Sequence, residues 1–409
     1  MSFDTLSLRC SLRNIFRQKA RSGMTLASIV FGVVGLIVSG GFVEDVFVQL
    51  REATIHSRFG HLQIYKEGFY ANGVKEPYNY LIPAPDAVKT AVAAVPGVLD
   101  SMMRINFFGL LNNGKTDLPI LGEGVEAGKE AKLGSHLFLI AGRQLADQDA
   151  NGILLGEGVA RSMGVGVGSY VTILTNTPEG ALNSLEFQVV GIFRTYAKDF
   201  DDRAVRVAVG AAQDLLGVKG AHAVVVSLDD ALSTDRVAAA LKKSLGVRGF
   251  EVKTWFELDD FYAKTVELYQ VQLGVLQFTI LVVVLLSVAN SVNMTAYERV
   301  GEFGTLKALG TRSWQISLLI VLENALLGLI GASLGVVLGV VLALGLSAIG
   351  IPMPPPPNSN VGYTAYIRIV PSVLALSFII GFLATVLSSL LPARGVARIP
   401  VVDALRQNV

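Results

Sequence analysis

The sequence predicts an α-helical membrane protein with four transmembrane helices and a large α+β extracytoplasmic (periplasmic) domain inserted between helices 1 and 2. Three observations carry this. Of 409 residues, 52% are hydrophobic and 16% charged, whereas a soluble domain carries about 25% charged residues. Four apolar stretches are long enough to cross a hydrocarbon core, which takes about 20 helical residues. The long segment between the first two of them alternates strand-like and helix-like patterns.

The first span is "MTLASIVFGVVGLIVSGGF", Met24 to Phe42, and the second is "VQLGVLQFTILVVVLLSVANSVNM", Val271 to Met294. The third, Ile316 to Ile349, exceeds what a span requires and is expected to tilt, bend or project. The fourth is "IVPSVLALSFIIGFLATVLSSLL", Ile369 to Leu391. Lysine and arginine in short loops set orientation. Arg9, Arg13, Arg17, Lys19 and Arg21 precede the first span. Arg299, Lys307 and Arg312 lie between the second and third, and Arg394, Arg398 and Arg406 follow the fourth. The loop between the third and fourth carries only Arg368. The basic segments therefore belong in the cytoplasm, with both termini inside. The first span has no small-x-small cleavage site and reads as an uncleaved anchor.

The expected division is an amphipathic cytoplasmic segment 1–23, helix 1 at 24–47, the outer domain at 48–267, and helix 2 at 268–295. A cytoplasmic helix follows at 296–312, then helix 3 at 313–349 and a Pro-rich outer loop at 350–368. Helix 4 at 369–392 and a cytoplasmic tail at 393–409 complete the chain.

Composition excludes several functions. The net charge of +1 comes with no basic arm, so nucleic acid is not an expected partner. One cysteine, Cys10, leaves no intrachain disulfide and no cysteine metal cluster. His56, His61, His136 and His222 are scattered, so no metal site is expected. No catalytic residues are assigned, although two motifs tempt. "GLLNNGKT", Gly109 to Thr116, matches the phosphate-binding loop G-x-x-x-x-G-K-[ST]. Such a loop must open a helix, yet strand-like "TDLPIL" follows, and Asn113-Gly114 is a hairpin turn signal. "GASLG", Gly331 to Gly335, matches a nucleophile elbow but lies inside an apolar span. Gly331, Gly335 and Gly339 instead form small-x-x-x-small steps that let helices approach closely.

Two polar features within the spans remain. Glu323-Asn324 sits near the start of the third span, either as a functional intramembrane acid or as one that reaches headgroups. Ser287, Asn290 and Asn293 recur every three residues in the second span, a pattern read as interhelical hydrogen bonding ahead of a substrate site.

The most informative stretch is "TAYERVGEFGTLKALGTRSWQI", Thr295 to Ile316. Phe303, Leu306 and Leu309 form an apolar stripe beside Glu298, Arg299, Glu302 and Lys307, and Gly310 is placed to end the helix. By pattern alone it is a solvated connector or a helix that plugs into a partner's groove.

This stretch resembles the R-x-x-E-(I/F)-G-x-L-(K/R)-A-L-G element of the FtsX-like or MacB-like ABC-transporter permeases. "LRNIFRQKARSGMTLASIVFGV", "ENALLGLIGASLGVVLG" and "PARGVARIPVVDALR" extend the resemblance along the chain. "GHLQIY", "GEGVARSMGVGVGSYVTI" and the "PMPPPP" loop look most like the lipoprotein-releasing (LolC/LolE-like) branch.

The resemblance implies a non-catalytic permease subunit in a bacterial inner membrane. It implies a second permease subunit, identical or homologous, and a dimer of separately encoded cytoplasmic ATPases that bind ATP and Mg. This chain has no fused nucleotide-binding domain and is expected to hold no cofactor of its own. Glu298, Arg299, Glu302, Phe303, Leu306, Lys307, Leu309 and Gly310 then make up the coupling helix on the ATPase. The outer domain is expected to hold a βαββαβ part with an inserted β-rich part at about 130–205. The implied action is mechanotransmission onto a lipoprotein or other hydrophobic substrate, with a periplasmic chaperone or adaptor as a further partner. The alternatives are an FtsX-like activator of a cell-wall hydrolase and a MacB-like efflux permease.

Overall fold

A computed structural model describes residues 19–73, 75–133, 137–355 and 360–406. Most of the N-terminal segment 1–23, part of the "PMPPPP" loop, Cys10 and His136 lie outside them. The chain divides into two compact units. One is helical and takes in, among the described residues, 19–47, 266–352 and 364–406. The other is built on a sheet: Val48–Thr265 with Met353–Tyr363.

Among the described residues, four helices are long and apolar enough to cross a membrane: Lys19–Thr54, Asp260–Glu298, Ser313–Ile349 and Pro371–Arg398. The first three hold 36, 39 and 37 residues. At 1.5 Å per residue each runs about 55 Å, well past a hydrocarbon core of about 30 Å. Apolar runs make them helical, and glycines let them touch. Gly331, Gly335 and Gly339 of the third helix face Ile29, Val33 and Ile37 of the first. A Cβ at Gly335 would sit 2.7 Å from the Cβ of Val33, and one at Gly339 2.8 Å from Ile37. Gly32 gives the same room to Val284 of the second helix, and Gly381 of the fourth to Val33. "GASLG" is thus a helix-packing segment.

The sheet unit contains ten strands among the described residues: β1 Leu62–Lys66, β2 Val98–Asn112, β3 Asp117–Val125, β4 Phe138–Gly142, β5 Gly152–Gly156, β6 Tyr170–Asn176, β7 Leu182–Arg194, β8 Ala204–Ala208, β9 Ala223–Leu228 and β10 Phe250–Thr254. Among the helices that accompany them are α1 Pro85–Ala93, α2 Ala127–Leu133, α3 Glu157–Met163, α4 Val209–Leu216 and α5 Thr234–Gly246.

Strands β10-β1-β9-β2 form an open sheet, and α1 and α5 cover one face of it through Val88, Val92, Val237 and Leu241. β9 is buried on both faces, which is why its sequence, "AVVVSL", is a continuous apolar run. β2 is long enough to belong to a second structure. It pairs with β3 and β6, and the pairings β3–β8, β8–β5, β5–β7 and β7–β6 close a six-stranded ring. Alternate residues such as Phe107, Leu111, Ile153, Leu155, Ile173, Phe187 and Val205 fill it, with Val159 of α3 and Leu215 of α4 packed against them. The β-rich part therefore starts at β2, and the expected insertion at about 130–205 cuts through it. The reason is that β2 and β3 before those bounds, and the end of β8 after them, are members of the ring.

"GLLNNGKT" is the end of β2 and the turn into β3, with Leu111 paired to Leu118 and Asn112 to Asp117. The turn has four residues, not the two-residue Asn-Gly turn the dipeptide suggests. Asn113 closes it from within: its Oδ1 accepts from the amides of Lys115 and Thr116, each at 2.9 Å. Gly114 supplies the positive φ of 85°. The amides a phosphate would need are spent on Asn113, and a strand follows where a helix would have to start.

Candidate functional site

At one end of the bundle, the second helix stops at Glu298 and the chain breaks direction at Arg299 (φ −98°, ψ 12°). A short helix, Val300–Ala308, follows. It closes at Gly310, whose φ of +94° only glycine adopts freely. Arg312 then caps the third helix, its amide donating to Gln315 Oε1 at 2.9 Å.

Arg299 is the centre of this corner. Its Nε donates to Glu302 Oε2 at 2.9 Å and its Nη1 to Glu323 Oε2 at 2.8 Å. Its guanidinium lies over the Phe303 ring, 5.1 Å from the centroid. Glu323 and Arg299 are both buried, whereas Glu302 is exposed. A carboxylate this deep is expensive unless paired, and Arg299 is the pair. So Glu323 serves as an internal anchor and does not reach toward headgroups. Its neighbour Asn324 donates to Ile320 O at 2.8 Å. A cavity of about 30 Å³, room for about one water, lies between Thr25, Ser291, Thr295, Arg299, Glu323 and Asn324.

The apolar stripe of the short helix splits. At 3.6 residues per turn, positions three apart drift by about 60° per step. Phe303 points inward and is 3% exposed, packed with Val300, Ala296, Ile320 and Val396. Leu306 is 36% and Leu309 79% exposed. Phe303 is thus corrected from a partner-facing anchor to a core residue, and the outward apolar surface belongs to Leu306 and Leu309. Lys307 Nζ donates to Ile399 O at 2.9 Å, tying the short helix to the C-terminal segment. Glu298 is exposed at the end of the second helix.

The polar positions of the second helix also differ from the three-residue pattern. Ser287 donates to Ser28 Oγ at 2.9 Å and Ser291 bonds Thr25, so the contacts to the first helix recur at four, the spacing of one helical face. Asn290 and Asn293 point outward and are exposed.

At the other end of the bundle lies a cluster that sequence reasoning missed. Asp45, 1% exposed, accepts from Arg368 Nε at 2.8 Å and from the Tyr366 amide at 2.9 Å. The Arg368 amide donates to Gly41 O at 3.1 Å. The signal was there to read: an acid at the end of an apolar run, and one arginine in an otherwise uncharged loop.

These features define an integral membrane protein whose large α+β domain is inserted after its first helix and whose charged corner helix follows its second. Residues 22–244, more than half the chain, match the MacB-like periplasmic core domain, and residues 274–401 match the FtsX-like permease C-terminal family. The chain belongs to this MacB-like and FtsX-like permease family. It is 30% identical over 285 residues to an uncharacterized ABC transporter permease of Methanocaldococcus jannaschii, covering 65% of this chain and 64% of that one. It is 24% identical over 351 residues to the lipoprotein-releasing system transmembrane protein LolC of Neisseria meningitidis serogroup B, covering 80% and 79%. Against the macrolide export ATP-binding/permease protein MacB of Rhodospirillum rubrum it is 27% identical over 265 residues, covering 62% of this chain and 37% of that protein. The match thus spans just under two thirds of the length of the archaeal permease.

Proposed function

We propose that this chain is the non-catalytic membrane subunit of an ABC transporter, which passes the stroke of a separate cytoplasmic ATPase to its sheet domain by mechanotransmission. ATP and Mg belong to the partner. The observation that carries the reading is the corner helix Val300–Ala308. Arg299 and Glu323 fix it to the third helix, Lys307 fixes it to the C-terminal segment, and Leu306 and Leu309 are left facing out. A partner pushing on those leucines moves the bundle, because the helix has no slack.

The remaining partners follow the same reading. The second helix carries Asn290 and Asn293 on exposed positions, and polar groups facing lipid are costly. A second permease subunit, identical or homologous, would satisfy them. A lipoprotein or other lipidated substrate is favoured over a macrolide because the match to LolC takes in 80% of this chain and the match to MacB 62%. A periplasmic chaperone or adaptor would receive it. The basic residues at 299–312 and after the fourth helix support a cytoplasmic corner helix, both termini inside, and a sheet domain outside, in a bacterial inner membrane. Single cysteines at exposed Ser184 and Ser313 should then react with an impermeant maleimide from opposite sides, and same-side labelling would refute that orientation.

The docking test uses the purified permease with its ATPase. Leu306→Asp with Leu309→Asp should weaken co-purification by about 2 kcal/mol or more, roughly 30-fold, as loss of interface anchors does. Glu302→Ala should matter less. Full retention of ATPase binding and stimulated hydrolysis by the double variant removes the docking claim.

A further inference from the structure

The end of the first membrane helix is held in the sheet unit by two arginines. After Thr54 the helix widens into a single looser turn, Ile55–Phe59, closed by Gly60, whose amide donates to Ile55 O. The last carbonyls of a helix lack partners within it. Here Arg206 of β8 donates Nη2 to Ser57 O at 3.0 Å, and Arg104 of β2 donates Nη1 to Arg58 O.

Carboxylates from two further elements hold the same guanidiniums. Arg206 Nε donates to Glu123 Oε2 of β3 at 2.8 Å, and its Nη1 lies 3.2 Å from Glu130 Oε1 of α2. Arg104 Nη2 donates to both oxygens of Glu130, at 2.8 and 2.9 Å. All four side chains are buried. Burial would raise the Glu123 carboxyl, but the guanidiniums of Arg206, Arg104 and Arg58 outweigh it and hold the group below the usual carboxylate range.

A buried ion network is a poor source of stability, because apolar groups of the same volume often serve as well. What arginine adds is direction: a planar fork fixes the carbonyl it caps against the carboxylates that orient it. β2, β3 and β8 all belong to the closed ring, and β2 also belongs to the open sheet. The helix end is therefore tied to the strand that both halves of the sheet share.

We propose that the Arg104–Glu130–Arg206–Glu123 network is a positioning joint that makes the end of the first membrane helix and the sheet move as one body. The inference rests on the permease reading for what drives the helix. The joint itself is tested separately.

The experiment is hydrogen exchange on the full-length chain with its ATPase in lipid nanodiscs. Arg206→Met with Glu123→Leu removes the cap on Ser57 and leaves the Arg104–Glu130 pair in place. Peptides of β1 and β9 should keep wild-type protection. Peptides covering 55–60 should exchange about 10- to 100-fold faster, the change expected for a lost hydrogen bond to a charged donor. ATP with vanadate should alter exchange in both helix and domain of the wild type, and in this variant the domain response should be smaller, since only Arg104 still caps the helix end. Arg206→Lys, which keeps the charge but not the fork, covers the case where the apolar pair fails to fold, with the same expectation. Unchanged protection at 55–60, or an ATP response in the domain of a folded variant equal to that of the wild type, overturns the joint. A wild-type domain that ignores ATP overturns the permease reading instead, and protection at 55–60 then decides the joint.

Discussion

Arg299→Ala should destabilise the helical unit by about 3–5 kcal/mol, because it strands the Glu323 carboxylate among buried helix faces. Before the change, Glu323 has a donor at 2.8 Å and the guanidinium covers the Phe303 ring. Afterwards neither is satisfied. Glu323→Gln should cost less, since an amide can still accept from Arg299 and carries no charge to bury. Arg299→Met with Glu323→Leu separates stability from coupling. It should restore most of the lost thermal stability, as apolar replacement of a whole buried pair does. It should not restore stimulation of the ATPase, because methionine cannot fix the angle between the corner helix and the third helix. Thermal unfolding of the detergent-purified protein, followed by size-exclusion chromatography, reads the first effect. Hydrolysis by the reconstituted complex reads the second. If the double variant recovers both, the pair is a packing element with no positioning role.

Glu323 also shows where the sequence stops informing. Its position near the start of an apolar span was legible, and so was the oddness of an acid there. Its partner was not, because Arg299 lies 24 residues away and the contact depends on how two helices meet. The four helices could be read directly, since a long apolar run has few other fates. The strands of the sheet unit were mostly legible too, from short β-branched runs between turn signals. The closure of six strands into a ring was not, because it turns on β2 outlasting its partner β9 and continuing to β6. Phe303 failed for a different reason. A stripe read at intervals of three drifts around a helix, so its two ends face different neighbours. The hairpin at Asn113-Gly114 was legible, but its four-residue length was not, because the Asn113 side chain accepts the turn amides.

Gly335→Leu should destabilise the helical unit by about 3 kcal/mol or more. In the interior of a helix, glycine is normally the weaker choice, by about 1 kcal/mol against alanine. That ordering reverses where another helix occupies the space. A Cβ at Gly335 falls 2.7 Å from the Cβ of Val33, and the Gly331 and Gly339 steps press on Ile29 and Ile37 along the same line. The first helix cannot retreat from one point without opening the others. Overpacking a close contact costs about 1–3 kcal/mol, and a full leucine in this seam belongs at or above the upper end. Gly345 is the control, with nothing within 4 Å of a built Cβ, so Gly345→Ala should leave stability unchanged or raise it. Gly335→Ala should lower it, and Val33→Ala in the same chain should return part of the loss by clearing the obstructing side chain. The comparison is made on folded protein recovered from membranes and on its resistance to heating. If Gly335→Ala and Gly345→Ala shift stability by the same amount in the same direction, the seam between the first and third helices is looser than these distances require.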